Sequence, residues 1–159
     1  MVNKNSAKQR QCEEFGDGAI SDRHRDFWGK PLYCSNSDMI YYDWKTAEPL
    51  AMIDWKHSNI KKLDLNHPNI QCQRKLADKY PIPFFVIIYN EIDWSFWGVQ
   101  LNDNPEVKRY IKAGKYTEKS LIQGFHKIRG LKADPDVLKN ASTSIFNDIT
   151  IPTILGLKG

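Results

Sequence analysis

The stretch from Asp38 to Lys56 constrains the fold more than any other part of the chain. It opens with an acid and a short strand-like run, passes through a polar turn, and continues as the apolar run Pro49-Leu-Ala-Met-Ile, which leads into Asp54-Trp-Lys56. The pattern predicts two strands joined by a turn, of which the second is apolar enough to be buried. Side chains alternate between the faces of a strand, so Asp54 and Lys56 should project from the same side of the sheet, about 7 Å apart along it.

An acid and an ammonium at the end of a buried strand indicate a catalytic or metal-binding site. Carboxylates are preferred ligands of hydrated Mg²⁺, and a neighbouring ammonium can deprotonate or position a water, or stabilise charge in a transition state. This equipment is typical of phosphodiester hydrolysis. Alternating acidic and basic residues also occur on ordinary solvated strands, so the prediction depends on the apolar run before Asp54 and on a second acid nearby.

The identity of the second acid depends on the turn between the two strands. An odd loop centred near Ala47 sets Asp38 opposite Lys56 and diagonal to Asp54, within reach of one metal ion. An even loop reverses the parity and makes Asp43 the better neighbour. The sequence does not fix the turn. We favour Asp38, because Asp43 sits where the strand should give way to its turn and where a solvated acid is ordinary.

The remaining patterns predict alternating helices and strands. The apolar run over residues 84–89 should be a central strand, and the helix before it is a crossover, so this strand should lie parallel to the Asp54 strand. Helices are predicted over about residues 6–15, 21–28, 70–80, 105–114 and 117–129, with a short one after Asp134, and strands over about residues 31–34, 38–44, 50–56, 84–89 and 94–101.

A series of short motifs runs from about residue 12 to residue 130, and the order of the motifs carries more information than any one of them. They are Ser21-Asp-Arg-His-Arg25, Trp28-Gly29, Ser37-Asp38-Met-Ile-Tyr-Tyr-Asp43, Pro49-Leu-Ala-Met-Ile-Asp54-Trp-Lys56-His57, Pro83-Phe-Phe-Val86 and Ile128-Arg-Gly130. This combination resembles small nuclease-like proteins of bacteria and their phages, within the PD-(D/E)XK nuclease superfamily. In that family a helix carrying a Glu precedes a mixed sheet, an Asp begins the second strand, and the third strand ends in Asp or Glu, any residue, then Lys.

The resemblance implies an α/β fold with a restriction-endonuclease-like mixed central sheet of four to five strands flanked by helices. The nuclease-like domain would span residues 1–130. Residues 131–159 would form a C-terminal extension that packs on the domain or is loosely ordered.

The resemblance also implies a metal site. Asp38 and Asp54 are expected to bind Mg²⁺, for which Mn²⁺ can substitute, and the backbone carbonyl of Trp55 is expected to complete the shell. Lys56 is expected to act on the attacking water.

Two further residue types match the family pattern less specifically. Glu13 or Glu14, on the first predicted helix, would match the helical Glu, and Glu14 is taken as the catalytic candidate. A Glu pair on an amphipathic helix is usually part of a solvated face. Gln71 and Gln73 open the helix after the Asp54 strand, where many relatives present a Gln toward the site, and Gln71 is taken as the candidate. An amide there would hold a phosphate or a water, although Gln is more often a surface residue.

Composition sets bounds without pointing to one function. The chain has 159 residues, is 41% hydrophobic and carries a formal net charge of +4, which fits one folded domain and permits a nucleic-acid partner. Three widely spaced cysteines, a polar N-terminus without an apolar core and no apolar run of about 18 residues predict a soluble, cytoplasmic protein with free thiols and no membrane partner.

Together these features predict a Mg²⁺-dependent DNA endonuclease, a phosphodiesterase of phage or mobile-element type. Cutting both strands would need two active sites, so a homodimer is a possible assembly. The alternatives are a nuclease-fold module that binds DNA or a protein without cutting, and a structural or regulatory protein in which Asp-x-Lys is coincidental.

Overall fold

A computed structural model describes residues 39–43 and 45–157 of the chain. The helices predicted over 6–15 and 21–28 and the strand predicted over 31–34 lie outside the described residues. Within the described part, the strands are β1 (Met39–Tyr42), β2 (Pro49–His57), β3 (Lys62–Asp64), β4 (Phe84–Asn90), β5 (Ser95–Gln100), β6 (Gly114–Thr117) and β7 (Thr153–Leu155). The helices are α1 (Pro68–Lys79), α2 (Glu118–Ile128) and α3 (Pro135–Asn140), and a 3-10 turn covers Asp148–Thr150.

Five of these strands form one mixed sheet in the order β1-β2-β4-β5-β6. Strand β2 pairs antiparallel with β1 and parallel with β4, while β5 pairs antiparallel with both β4 and β6. The parallel pairing of β2 and β4 confirms the prediction from the crossover helix. The fold is therefore α/β, with a five-stranded mixed sheet flanked by helices.

The central position of β4 follows from its sequence. Residues Phe84–Ile88 are all buried, because helix α1 covers one face of the sheet and helix α2 the other. Such a strand has no solvated face, so every position in the run is apolar. The core on the α1 side includes Met52, Leu63, Ile70, Val86, Ile88, Val99 and Phe146, and the core on the α2 side includes Ala51, Ile53, Phe85, Ile87 and Leu121.

The helix predicted over about residues 105–114 is wrong. These residues up to Gly114, which begins β6, form an irregular loop. The side chain of Gln100 holds this loop, because its Nε2 donates to the carbonyl of Lys108 at 2.9 Å and its Oε1 accepts from the N–H of Tyr110 at 2.9 Å. A buried amide that takes backbone partners competes with helical hydrogen bonds, and here it prevails over local helix propensity.

The C-terminal segment returns to the α1 face of the sheet. Strand β7 pairs in parallel with β3, and Leu65 continues the pairing by donating its N–H to the carbonyl of Leu155 at 3.0 Å. Phe146 is 1% exposed and belongs to the core on the α1 side. Residues 131–157 thus lie in the same compact unit as the sheet. Among the described residues, no helix is both long and apolar enough to cross a membrane.

Candidate active site

Asp54 and Lys56 lie together at the carboxyl end of β2, on the face of the sheet that helix α1 covers. The Nζ of Lys56 is 2.7 Å from Oδ1 of Asp54. Asp54 is 3% exposed, whereas the side chain of Lys56 is 33% exposed. A buried carboxylate is costly unless its charge is compensated, and a charge-assisted hydrogen bond of this length provides part of that compensation.

The pair lines an open pocket of about 380 Å³. The other walls come from the β2–β3 connection, from β3 and from the first turn of α1. Two acids and two lysines line the pocket, since Asp64 and Lys62 of β3 join Asp54 and Lys56. The remaining lining residues are Ile60, Leu63, His67, Asn69 and Ile70.

The start of helix α1 contributes a positive end to this pocket. Pro68 occupies the first helical position, and the His67 side chain caps the helix by accepting a hydrogen bond from the N–H of Asn69 at 3.3 Å. The first turn carries no acidic residue that would neutralise the helix dipole. Because the helix dipole favours anions, this end of α1 suits a phosphate oxygen more than a cation.

Gln71 has another role in the structure. Its Nε2 donates to the backbone carbonyl of Leu65 at 2.7 Å, and among the described residues it is not one of those that line the Asp54 pocket. The side chain holds the connection between β3 and α1. The amide predicted to hold a phosphate or a water is thus bound to the backbone.

The register of β1 and β2 differs from the predicted one. The register that sets position 38 opposite Lys56 would pair Met39 with Trp55, but Met39 pairs with Ile53. The shift is by two residues, so the faces of the strands are unchanged. An irregularity between Tyr41 and Tyr42 then leads into the turn. Asp38 itself lies outside the described residues, as do Glu13 and Glu14.

Asp43 belongs to the turn between the two strands. Its Oδ1 accepts hydrogen bonds from the N–H groups of Lys45 at 2.8 Å and Thr46 at 3.0 Å. Hydrogen bonds from the backbone N–H groups of Thr46 and Lys45 lower the pKa of the Asp43 carboxyl below its ordinary value. This arrangement is an ordinary turn cap, as expected for an acid where a strand ends.

The donor atoms around Asp54 suit a hard cation. Mg²⁺ keeps several waters and usually takes only one or two protein carboxylates, so Asp54 and Asp64, which line the pocket, are donors of a suitable kind. A backbone carbonyl such as that of Trp55 is also a suitable donor in kind. The Trp55 ring packs edge-on against Phe125 on the opposite face. No group of three or more His, Cys, Asp or Glu side chains within residues 39–43 and 45–157 is arranged to hold a metal ion.

Asp64 and Asn69 line the pocket but were not predicted from the sequence. The signal for Asp64 is short: Lys62-Leu63-Asp64-Leu65 alternates polar and apolar residues, as a half-buried strand does. Leu63 and Leu65 are buried, so Asp64 and Lys62 are directed away from the core between them.

No family model, curated protein or solved structure matches this chain. The residues of the pocket and the topology of the sheet are therefore the features that bear on function.

Proposed function

We propose that this protein is a metal-dependent DNA endonuclease of the PD-(D/E)XK superfamily, with the active site at Asp54 and Lys56. One observation carries the proposal. A carboxylate buried at the carboxyl end of a central strand lies 2.7 Å from an ammonium, and both groups line an open pocket. A partly buried ion pair adds little net stability, because the cost of removing the charges from water offsets their attraction. Stability alone therefore gives no reason to place such a pair beside an open pocket.

The order of the elements supports the restriction-endonuclease-like fold. Strand β1 directly follows Asp38 in the chain, β2 ends in Asp-x-Lys, and helix α1 crosses over to β4, which is parallel to β2. The family pattern likewise has an Asp at the start of one strand and Asp or Glu, any residue, then Lys at the end of the next. The resemblance and this topology therefore support a site on the same two strands.

The chemistry follows from the groups that line the pocket. Asp54 and the Trp55 carbonyl would hold Mg²⁺ or Mn²⁺, with Asp38, which directly precedes β1 in the chain, as the second acid. A bound divalent ion would supply Lewis-acid stabilisation of the charge on the scissile phosphate and on the leaving 3′ oxygen. The Lys56 ammonium positions the attacking water or stabilises the negative charge that develops in the transition state. Hydrolysis leaves 5′-phosphate and 3′-hydroxyl ends, as in the family this chain resembles.

Part of the pocket lining suits a nucleic-acid backbone. Lys62 on β3 and the first turn of α1 line the pocket together with Asp54 and Lys56. The Lys62 ammonium and the positive end of the helix dipole favour a backbone phosphate next to the one that is cut. DNA is therefore the proposed substrate, and a homodimer is the proposed assembly for cutting both strands.

The second candidate is a nuclease-fold module that binds DNA or a protein without cutting. The ion pair is also compatible with this candidate, because a Lys56 ammonium held 2.7 Å from the Asp54 carboxylate can be a purely structural contact. Divalent-ion binding separates the two functions. An enzyme binds Mn²⁺ through Asp54, and a binding module does not need to.

The test is incubation of supercoiled plasmid, linear duplex, single-stranded and branched DNA with the protein, in Mg²⁺, in Mn²⁺ and in chelator. We expect cleavage with either ion and none in chelator. Asp54→Asn should abolish cleavage, and Lys119→Ala on the exposed surface of α2 should cut like the wild type. Cleavage by Asp54→Asn, or cleavage in chelator, contradicts the proposal. Failure of the wild type to cut any of the four substrates favours the binding module.

A further inference from the structure

A second cavity, larger than the Asp54 pocket, lies along helix α1. Its volume is about 480 Å³, within the range of roughly 300–1,000 Å³ typical of small-molecule sites. It is bounded by α1, by the end of β5, by the loop between β5 and β6, and by residues 156–157. None of its lining residues belongs to the Asp54 pocket, so the two are separate sites.

The charged residues that line this second cavity are mainly cationic. Arg74, Arg109 and Lys112 line it together with a single acid, Asp103. Arg74 forms an ion pair with Asp103, which is mostly exposed to solvent. Arg109 donates to the backbone carbonyls of Gln100, at 3.1 Å, and Asn102. A guanidinium has five N–H donors, so these contacts leave further donors on Arg109, and the cavity has a surplus of positive charge.

Arg74 has a buried donor that lacks an acceptor. Its Nε is shielded from solvent, and no acceptor for it is found among the described residues. Leaving a buried donor unsatisfied is unfavourable, particularly on a charged group, and native proteins rarely do so. The Nε itself is enclosed, but the Arg74 side chain is partly exposed where it lines the cavity, and an anionic oxygen there would accept hydrogen bonds from the outer part of the guanidinium. Guanidinium groups suit the oxygen pairs of phosphate especially well.

The same cavity has an apolar wall. Val99, Leu101 and Ile111 line it beside the cations. A small inorganic anion would leave this wall uncovered, whereas a ligand with an anionic group next to a flat apolar ring would cover it. A nucleotide has this combination.

We propose that the cavity binds a nucleotide unit, with its phosphate on Arg74 and Lys112 and its base against the apolar wall. The unit comes either from a free mononucleotide or from one nucleotide of a bound DNA strand, since both present the same chemistry. The site is independent of cleavage, because it shares no residue with the proposed active site.

The test measures binding in chelator, so cleavage does not contribute. Titration calorimetry would use a nucleoside monophosphate and inorganic phosphate, and fluorescence anisotropy would use a labelled single-stranded oligonucleotide. The variants are Arg74→Gln and Lys112→Gln, and the matched control is Lys75→Gln, which lies next to Arg74 on α1 but is exposed and outside the cavity lining. We expect about tenfold weaker binding for Arg74→Gln, at least about threefold for Lys112→Gln, and no change for the control.

The ligand series distinguishes the two sources. Monophosphate binding that is tighter than phosphate binding, and that both variants weaken, assigns the site to a free nucleotide. Weakened oligonucleotide binding without monophosphate binding assigns it to a strand. The proposal is overturned when Lys112→Gln, an exposed position whose replacement should not affect folding, binds every probe as the control does. This result would leave the plasmid assay and the Asp54 site untouched.

Discussion

Replacing Lys56 by Met should destabilise the protein as well as stop cleavage. Methionine keeps an apolar stem of similar length but removes the ammonium that contacts Asp54. Removing one member of a fully buried ion pair costs about 3–5 kcal/mol, while an exposed pair contributes about 0–1 kcal/mol. The Asp54 side chain is 4% exposed and that of Lys56 is 33% exposed, so the pair lies between these limits. We expect a loss of about 2 kcal/mol, equivalent to a fall in Tm of about 4–8 °C.

A double-mutant cycle separates the loss of stability from the loss of cleavage. Asp54→Asn removes the charge that Lys56 compensates, so the double variant Asp54→Asn/Lys56→Met should regain about 1–2 kcal/mol relative to Lys56→Met alone. Urea unfolding in chelator measures each stability without a divalent ion competing for the carboxylate. Cleavage of supercoiled plasmid, measured separately, should be lost in all three variants.

Two results would refute this reasoning, each on a different point. If Lys56→Met unfolds at the same urea concentration as the wild type, the ion pair does not compensate the burial of Asp54. If the double variant is well folded and still cuts plasmid at the wild-type rate, neither residue belongs to the active site.

Three other changes test particular contacts. Phe146→Ala should lower the free energy of unfolding by about 3–5 kcal/mol in a denaturant titration, because a buried aromatic side chain is lost from the core on the α1 side. Gln71→Ala should cost about 1 kcal/mol through the lost hydrogen bond to Leu65, while plasmid cleavage continues at the wild-type rate. Because the pKa of the Asp43 carboxyl is lowered in the folded protein, the charged group adds stability above about pH 4 that disappears as the pH falls through the folded-state pKa. The stability advantage of the wild type over Asp43→Asn should therefore shrink as urea titrations are repeated from about pH 6 down to about pH 2.

The sequence predicts the elements that have long, regular patterns. Strands β2 and β4 are uninterrupted apolar runs, and the helical segment between them requires a crossover, so their parallel pairing follows. The loop before β6 illustrates the opposite case. Local residues there favour a helix after Pro105, but Gln100, distant in sequence from most of that loop, holds the backbone in another shape. Tertiary contacts of this kind cannot be predicted from local propensity.

The candidate site likewise contains residues that the sequence predicts and residues that it does not. Asp54 and Lys56 are predictable because the period of a strand alone places them on one face. Asp64 is not, since β3 has only three residues and its partner strand β7 lies near the other end of the described chain. The β1–β2 register was predicted two residues away from the observed one, because the sequence leaves the position and geometry of the turn open.

The pairing of β3 with β7 has a consequence for biosynthesis. Strand β3 forms the outer wall of the Asp54 pocket, but β7 is translated only after α1, β4, β5, β6 and α2. On the ribosome, the nascent chain can thus fold the Asp54 strand against β4 well before the outer wall has a partner.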